Sequence, residues 1–220
     1  MHALLAHLRT TAGNVVPTPL AITTAYEEVS FLPGDAGADC WPYQATEQGL
    51  RSAARLLRRL HDASTSWVPP ADAVWGVAPT EPPEVVCHGD PGPWNMTWID
   101  GQAAGLFDWD FCHPGPRLED VAYSLEYLAP FRDDDTAMRW LGFTSPPDRS
   151  RRLRVFCEEC GIESTGVVDA VIDLQRLVIG RVRSLADAGI QPQDEWVAEG
   201  YLDELAGRIA WSEAHRNLFD

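Results

Sequence analysis

The sequence predicts an α+β fold, and three observations lead to that prediction. Short apolar segments bounded by Gly, Pro, Asn and Asp lie near the N-terminus and in the middle of the chain, as is typical of strands. The segment Asp100-Gly101-Gln102 separates two apolar runs, which is a strong hairpin signal. After Pro116, apolar residues recur at helical spacing almost to the C-terminus. A few strands, a hairpin and then a group of helices is the order of an α+β protein.

The first elements are predicted to be short. We expect a helix over His2–Arg9 and strands over Pro19–Thr23 and Glu27–Leu32, because Pro33 and Gly34 end the second strand. Asp35–Tyr43 is predicted to be a loop. These elements precede the first long amphipathic pattern of the chain.

That pattern begins at Thr46 and predicts a helix through His61, since apolar residues follow the i, i+3, i+4, i+7 spacing. The Pro-rich stretch Trp67–Pro83 is predicted to be an extended loop. The later predictions are a strand over Glu84–Cys87, the hairpin strands Asn95–Ile99 and Ala103–Phe107, and helices over Leu118–Leu128, Asp148–Cys160, Thr165–Ala188 and Asp194–Leu218.

The composition excludes several functions. The 220 residues carry a formal charge of −16, which repels nucleic acid and anionic membrane and leaves solubility or a cationic partner as explanations. All 17 basic residues are arginine, so a Schiff-base or phosphate-binding lysine is excluded. No apolar run approaches the roughly 20 residues of a membrane span, and the N-terminus does not resemble a signal peptide. We expect a cytoplasmic protein that binds neither nucleic acid nor membrane.

The five cysteines are scattered, as expected of reduced thiols. Cys157 and Cys160 have the CxxC spacing of redox and zinc sites, but they stand alone at the end of a predicted helix. Helix packing is therefore favoured over a metal or redox role for this pair.

The polar residues with the clearest chemical pattern surround the predicted hairpin. Asp90 follows a strand, Asn95 opens the hairpin and Asp108 follows its second strand, so the three side chains are predicted to converge at one end. Asn and Asp oxygens suit Mg²⁺, which takes its remaining ligands from water and phosphates. A carboxylate not used by the metal can accept a proton from a substrate hydroxyl. The pattern indicates phosphoryl transfer.

The spacing His88-Gly89-Asp90, Asn95 and Asp108 resembles the catalytic and metal loops of the aminoglycoside phosphotransferase and choline kinase family. The segment Ser30–Gly34 resembles the hinge of that family, and the likeness spans most of residues 1–220. The resemblance implies a protein-kinase-like (aminoglycoside phosphotransferase-like) α+β fold. Its truncated small lobe would occupy residues 1–34, and a mostly helical large lobe would occupy residues 35–220.

The resemblance also implies roles for single residues. Asp90 would be the catalytic base, and Asn95 and Asp108 the Mg²⁺ ligands, while Ser30 and Leu32 would contact the nucleotide. Asp110 would add a water-mediated metal contact. His88 and Asp120 would support the catalytic loop, although the position of Asp120 near a helix start favours N-terminal capping as its main role.

The chain departs from the family at its front. It has no Gly-rich phosphate loop and no lysine, so the front of the small lobe is expected to be missing. Arg9 is the nearest candidate to replace the lysine. The loss of these contacts is expected to weaken charge stabilisation in the transition state.

Three functions remain open. The first is transfer of the terminal phosphoryl group of ATP or GTP to a hydroxyl of a small molecule, in which an aminoglycoside-like, cationic acceptor is the leading expectation. The second is a degenerate kinase-like binding or regulatory module without transfer, and the third is another reaction at the Mg²⁺ site. A homo-oligomer is also possible, since a partner could cover the cleft left by absent strands. The acidic residues that could attract a cationic acceptor, unless they only form a solvated surface, are Glu126, Asp133, Asp134, Asp135, Glu158, Glu159, Asp194 and Glu195.

Overall fold

The computed structural model describes residues 1–23 and 26–220. About half of the chain is helical, and within the described residues the strands form two-stranded antiparallel sheets. The predicted α+β class is confirmed.

The N-terminal elements agree with the prediction in type but are shorter in part. Helix α1 spans His2–Thr11, and strands β1 (Pro19–Ile22) and β2 (Glu27–Val29) pair antiparallel. The second predicted strand therefore ends at Val29 and not at Leu32. Ser30 still bonds to Thr18, and farther along the backbone of Asp35 pairs with Trp98.

The prediction that Asp35–Tyr43 forms a loop is wrong in part. It contains a 3₁₀ turn at Ala38–Cys40 and a short helix, α2 (Trp41–Ala45), in which Pro42 occupies the first turn, where its missing N–H costs nothing. Helix α3 (Glu47–Ser64) follows, and the Thr46 side chain caps it by accepting a hydrogen bond from the Gly49 N–H at 2.9 Å.

The central strands position the polar motif. They are β3 (Val85–Cys87), β4 (Met96–Ile99), β5 (Gln102–Leu106) and β6 (His113–Gly115). The hairpin prediction is confirmed, because β4 pairs with β5 across Asp100 and Gly101, whose φ angles of 52° and 74° are those of a type I′ turn. Strand β6 was not predicted, since it is three residues long with Pro114 at its centre, and it pairs with β3.

The C-terminal half is helical. The predicted final helix over Asp194–Leu218 is wrong, because Gly200 adopts φ 94° and divides it into two helices. Trp196 is therefore not on a buried side but 42% exposed. The helices of this half are α4 (Arg117–Leu128), α5 (Asp134–Trp140), α6 (Arg149–Cys160), α7 (Val167–Asp187), α8 (Gln193–Ala198) and α9 (Tyr201–Ala214).

The core joins the strands to the helices. Helix α3 packs between α6 and β5, and α4 packs on α7, so that one apolar cluster extends from α1 to α7. Cys157 and Cys160 are buried in this cluster, and the thiol of Cys160 contacts the Ala54 carbonyl at 3.6 Å. Within the described residues, no helix combines the length and apolar character needed to cross a membrane.

Candidate active site

The loop that carries Asp90 begins directly after β3. Gly89 adopts φ 86°, and a Cβ there would lie 2.3 Å from the Phe111 carbonyl oxygen, so only glycine fits. The close approach of the two backbones holds the start of the loop against the segment that follows Asp108.

Asp120 anchors this loop from α4. Its carboxylate is fully buried and accepts the backbone N–H groups of His88 at 2.7 Å and Gly89 at 2.9 Å, while His61 Nε2 lies 2.9 Å from Oδ2. Burial alone would raise the pKa of Asp120, but the hydrogen bond from His61 and the surrounding donors hold that pKa below its usual value. The favoured capping role is therefore wrong: α4 has no side-chain cap, and Asp120 binds the loop.

Two further residues of α4 contact the same loop and were missed in the sequence. The Ser124 hydroxyl donates to the Pro91 carbonyl at 3.0 Å, and the Tyr123 hydroxyl lies close enough to Asp90 to lower the pKa of that carboxyl. Tyr123 and Ser124 follow Asp120 at i+3 and i+4, which places all three on one helix face. That spacing in the sequence was the signal from which their contact with the loop could have been predicted.

Asp90 is a largely buried carboxylate. Its Oδ2 accepts hydrogen bonds from Asn95 Nδ2 at 3.0 Å and Trp94 Nε1 at 3.3 Å. Its Oδ1 is buried and accepts no hydrogen bond of ordinary geometry from the described residues. Burial, with a smaller contribution from the charge of Asp108, outweighs the neighbouring donors and raises the pKa of Asp90 to about 6. A pKa in this range suits a group that accepts a proton near neutral pH.

His88 supports the loop as a neutral imidazole. Nε2 donates to the Phe107 carbonyl at 2.9 Å, and Nδ1 accepts the Asp90 N–H at 3.3 Å, so the proton is on Nε2. Burial lowers the pKa of His88 to about 4. The ring also packs edge-on against Trp109, with a centroid separation of 4.7 Å. His88 thus connects the Asp90 loop to the residues that follow β5.

The open end of the hairpin brings Asn95 and Asp108 together. The Phe107 N–H donates to the Asn95 carbonyl at 2.9 Å, which continues the β4–β5 pairing by one step. Asp108 then adopts φ 63°, a left-handed conformation that aspartate tolerates better than most residues. Its exposed carboxylate has a raised pKa because of partial burial and the nearby charge of Asp110, whose backbone N–H opposes the shift.

Asn95 and Asp108 are the residues here whose free oxygens could bind a divalent cation. Asn95 uses its Nδ2 for Asp90, which leaves Oδ1 as a ligand, and a cation would relieve the repulsion between the Asp108 and Asp110 carboxylates. In the part of the chain that the structure describes, no three His, Cys, Asp or Glu side chains form a metal site. Asn95 and Asp108 would therefore share Mg²⁺ with water and phosphate oxygens.

The residues expected at the nucleotide lie beside the hairpin. Ser30 is engaged with Thr18 through its N–H at 2.8 Å and its hydroxyl at 2.9 Å. The Leu32 side chain is buried close to Gly105 in β5. Arg9 donates to the Val16 carbonyl at 3.3 Å. The structure thus brings Leu32 to the hairpin, while Ser30 and Arg9 make local contacts.

A cleft of about 1210 Å³ opens on the other side of Asp90. Its walls combine the Asp90 loop, the 76–80 segment and parts of α4, α5, α7, α8 and α9. Trp94 and Tyr123 line it next to Asp90. The cleft is therefore the place where an acceptor molecule could reach the Asp90 carboxylate.

The acidic residues expected to attract a cationic acceptor lie elsewhere. Glu126 is buried against Arg132 at 3.1 Å, Glu159 pairs with Arg51 and Arg55, and Asp134 pairs with Arg149. Asp133 caps α5. None of the eight acidic residues named for this role lines the cleft.

Comparison with known proteins agrees with the motif and the fold. A profile of the "Phosphotransferase enzyme family" matches residues 71–152. The chain is 30% identical over 182 residues to the trifolitoxin immunity protein of Rhizobium leguminosarum bv. trifolii, a match that covers 77% of this chain and 67% of the relative. The crystal structure of "a putative aminoglycoside phosphotransferase" from Ralstonia eutropha JMP134 superposes with a TM-score of 0.62 at 13% identity and covers 97% of this chain and 82% of that chain.

The structural match establishes a shared fold, and the profile match covers the Asp90 loop, the hairpin and α4. The kinase-like architecture expected from the catalytic-loop motif is thereby confirmed. The chain belongs to the phosphotransferase enzyme family, whose aminoglycoside phosphotransferases its fold resembles.

Proposed function

We propose that the chain transfers the terminal phosphoryl group of a nucleoside triphosphate, ATP or GTP, to a hydroxyl group of a small molecule. One observation carries this proposal. The buried Oδ1 of Asp90, which has no ordinary hydrogen-bond partner in the described chain, stands beside a cleft on one side and the Asn95–Asp108 pair on the other.

Asp90 would act as the proton acceptor. An acceptor hydroxyl that enters the cleft can donate to Oδ1, while Asn95 and Trp94 hold Oδ2 and so fix the orientation of the carboxylate. As the hydroxyl oxygen attacks phosphorus, its proton passes to Asp90. Positioning of this kind is the main contribution of a protein to phosphoryl transfer.

Asn95 and Asp108 would hold Mg²⁺, which supplies neutralisation of the negative charge on the phosphates. Ser30 and Leu32 would border the nucleotide on the side of residues 1–34, the proposed remnant of the small lobe. Asp110 would support Asp108. Because the sequence has no lysine, phosphate charge that lysine neutralises in other kinases would fall to the metal or to arginine.

A second candidate function follows from the similarity to a protein named for toxin immunity. The chain would bind a toxic small molecule in the cleft and sequester it without transfer, as a degenerate kinase-like module.

The test is a transfer assay with Mg²⁺ and ATP or GTP over a panel of hydroxylated compounds, followed by ³¹P NMR of the phosphomonoester product. Asp90→Asn is expected to lower transfer by about 10²- to 10⁴-fold, since general base catalysis contributes that much. Asp100→Asn is the control, because Asp100 is an exposed aspartate in the turn between β4 and β5, at the end of the hairpin opposite to Asn95 and Asp108.

Undiminished transfer by Asp90→Asn would refute the proposal. Binding of an acceptor without product in the wild-type chain, with equal binding by Asp90→Asn, would support the sequestration alternative.

A further inference from the structure

The geometry points to a large, mainly apolar, ring-containing alcohol or phenol without positive charge as the molecule that the cleft beside Asp90 binds. The hydroxyl group of the ligand is inferred from the proposed function, and this part of the inference rests on that function. The apolar and uncharged character follows from the cleft itself.

The wall nearest Asp90 is aromatic. The ring of Trp94, whose Nε1 lies 3.3 Å from Asp90 Oδ2, meets Tyr127 edge-on at 4.5 Å, Trp41 at 6.2 Å and Tyr123 at 6.4 Å between ring centroids. All four rings line the cleft. A hydroxyl that reaches Asp90 must therefore be attached to a body that packs on aromatic surface.

Other residues of the lining expose apolar side chains that a folded chain ordinarily buries. Trp140 is 63% exposed, and Trp196 and Leu177 are each 42% exposed, and all three line the cleft. They lie on α5, α8 and α7, so three separate helices direct apolar surface toward the same space. Contiguous apolar surface of this kind typically marks a binding site.

The charges at the cleft disfavour a polycation. Three guanidinium groups line it, those of Arg132, Arg181 and Arg208, whereas the lining carboxylates are Asp90 and Glu204. Glu204 is already hydrogen-bonded to Arg208. Each of the three guanidinium groups is itself paired with a carboxylate, Arg132 with Glu126, Arg181 with Glu119 and Arg208 with Glu204. Among the described residues, Asp90 is therefore the one lining carboxylate not paired with an arginine, too little negative charge to attract a molecule with several amino groups.

The aromatic rings are also partly occupied by the protein's own cations. The Arg132 guanidinium lies 4.6 Å from the centroid of the Tyr127 ring, and the Arg208 guanidinium lies 5.6 Å from that of Tyr201. Glu126 binds Arg132 at 3.1 Å and lies 3.7 Å from Arg208, which holds both in place. These two tyrosine faces are thus not free to bind the ammonium group of a ligand.

The volume indicates the size of the ligand. At about 1210 Å³ the cleft exceeds the roughly 300–1,000 Å³ of typical small-molecule pockets. A single sugar or an amino alcohol would leave most of the aromatic wall in contact with water. The cleft therefore suits a molecule of several fused or linked rings.

The test is calorimetric binding without nucleotide, so that its result does not depend on catalysis. Two apolar probes are used, estradiol and 2-naphthol, which are uncharged and carry a hydroxyl group. Kanamycin serves as the polycation and, like estradiol, consists of several rings. At least one apolar probe is expected to saturate the chain with an affinity at least tenfold above that of kanamycin.

Two variants locate the binding. Trp196→Ala is expected to weaken the apolar probe at least threefold. Leu177→Glu, which adds a carboxylate at a half-exposed position, is expected to weaken it at least fivefold and to strengthen kanamycin. Leu218→Glu is the matched control and should change neither, because Leu218 is 38% exposed and lies outside the cleft.

Tighter binding of kanamycin, no saturable binding of any apolar probe, or equal effects of Leu177→Glu and Leu218→Glu would each overturn the inference. Failure of the proposed function is distinguishable. If an apolar probe binds but no alcohol is phosphorylated, only the proposed function is refuted. If transfer to kanamycin occurs and depends on Asp90 while no apolar probe binds, only the inference about the ligand is refuted.

Discussion

The two sides of Asp90 are built in different ways. On the hairpin side, a buried hydrogen-bond network fixes backbone and carboxylate positions, because Asp120 and His88 accept backbone N–H groups and Asn95 donates to Asp90. On the cleft side, rings and aliphatic groups from six helices, α2, α4, α5, α7, α8 and α9, surround a large open volume. In the proposed function, the first side would carry out the chemistry and the second would determine which molecule reaches it.

This difference has a consequence for mutation. On the hairpin side, the His88, Asn95 and Asp120 side chains are buried, so the loss of one partner leaves another without compensation. The cleft side exposes apolar groups such as Trp140 and Trp196, whose removal costs little folding energy. Substitutions should therefore separate folding and loop geometry from ligand preference.

The largest expected effect is that of Asp120→Ala. It leaves the N–H groups of His88 and Gly89 and the His61 ring without their acceptor in a buried site. We expect the free energy of unfolding to fall by about 3–5 kcal/mol, as for a broken buried polar pair. Urea unfolding at pH 7 measures this change.

Asp169→Ala is the control for that loss, since Asp169 pairs with Arg216 at the surface. Its effect should stay below about 1 kcal/mol. Similar losses in the two variants would contradict a special role of Asp120 in holding the loop.

A smaller, pH-dependent effect is expected at Glu119, which connects the hairpin side to the cleft wall. Its carboxylate binds Thr80 at 2.6 Å, Arg181 at 2.7 Å and His113 at 3.1 Å. Although burial opposes the shift, these donors lower the pKa of Glu119 from 4.5 to about 2. Because the folded-state pKa is depressed, the stabilisation is present above pH 4.5 and is lost as the pH falls toward 2.

Glu119→Gln therefore should cost more stability at pH 7 than at pH 3, by about 2 kcal/mol. Urea unfolding of the wild type and the variant at both pH values measures the difference. The same cost at pH 7 and pH 3 would contradict the charge-based account and leave only loss of packing and neutral hydrogen bonds.

The hairpin side was largely accessible from the sequence. Asp90, Asn95 and Asp108 lie within one short segment, and the Asp100-Gly101 turn between β4 and β5 follows directly from local backbone chemistry. The sequence placed Asp120 near the start of a helix, which favoured a capping role. Its partner His61 comes from a different helix, so the contact between them could not be predicted from neighbouring residues.

The lining of the cleft could not be predicted from the sequence. Its lining comes from residues as far apart as Trp41 and Arg208, and no local pattern indicates which apolar residues share a cavity. The short helices α5 and α8 carry Trp140 and Trp196, but a helix of six or seven residues gives too few turns for a periodic signal. Tertiary packing therefore determines which residues line the cleft that is proposed to select the ligand.

The central claim is that Asn95 and Asp108 hold one divalent cation next to Asp90. Mn²⁺ binding followed by electron paramagnetic resonance, with a nonhydrolysable ATP analogue present, tests it most directly. We expect one bound Mn²⁺ per chain, an affinity at least tenfold weaker in Asp108→Asn, and no change in the control Asp100→Asn. Equal Mn²⁺ affinity in the wild type and Asp108→Asn would contradict the account.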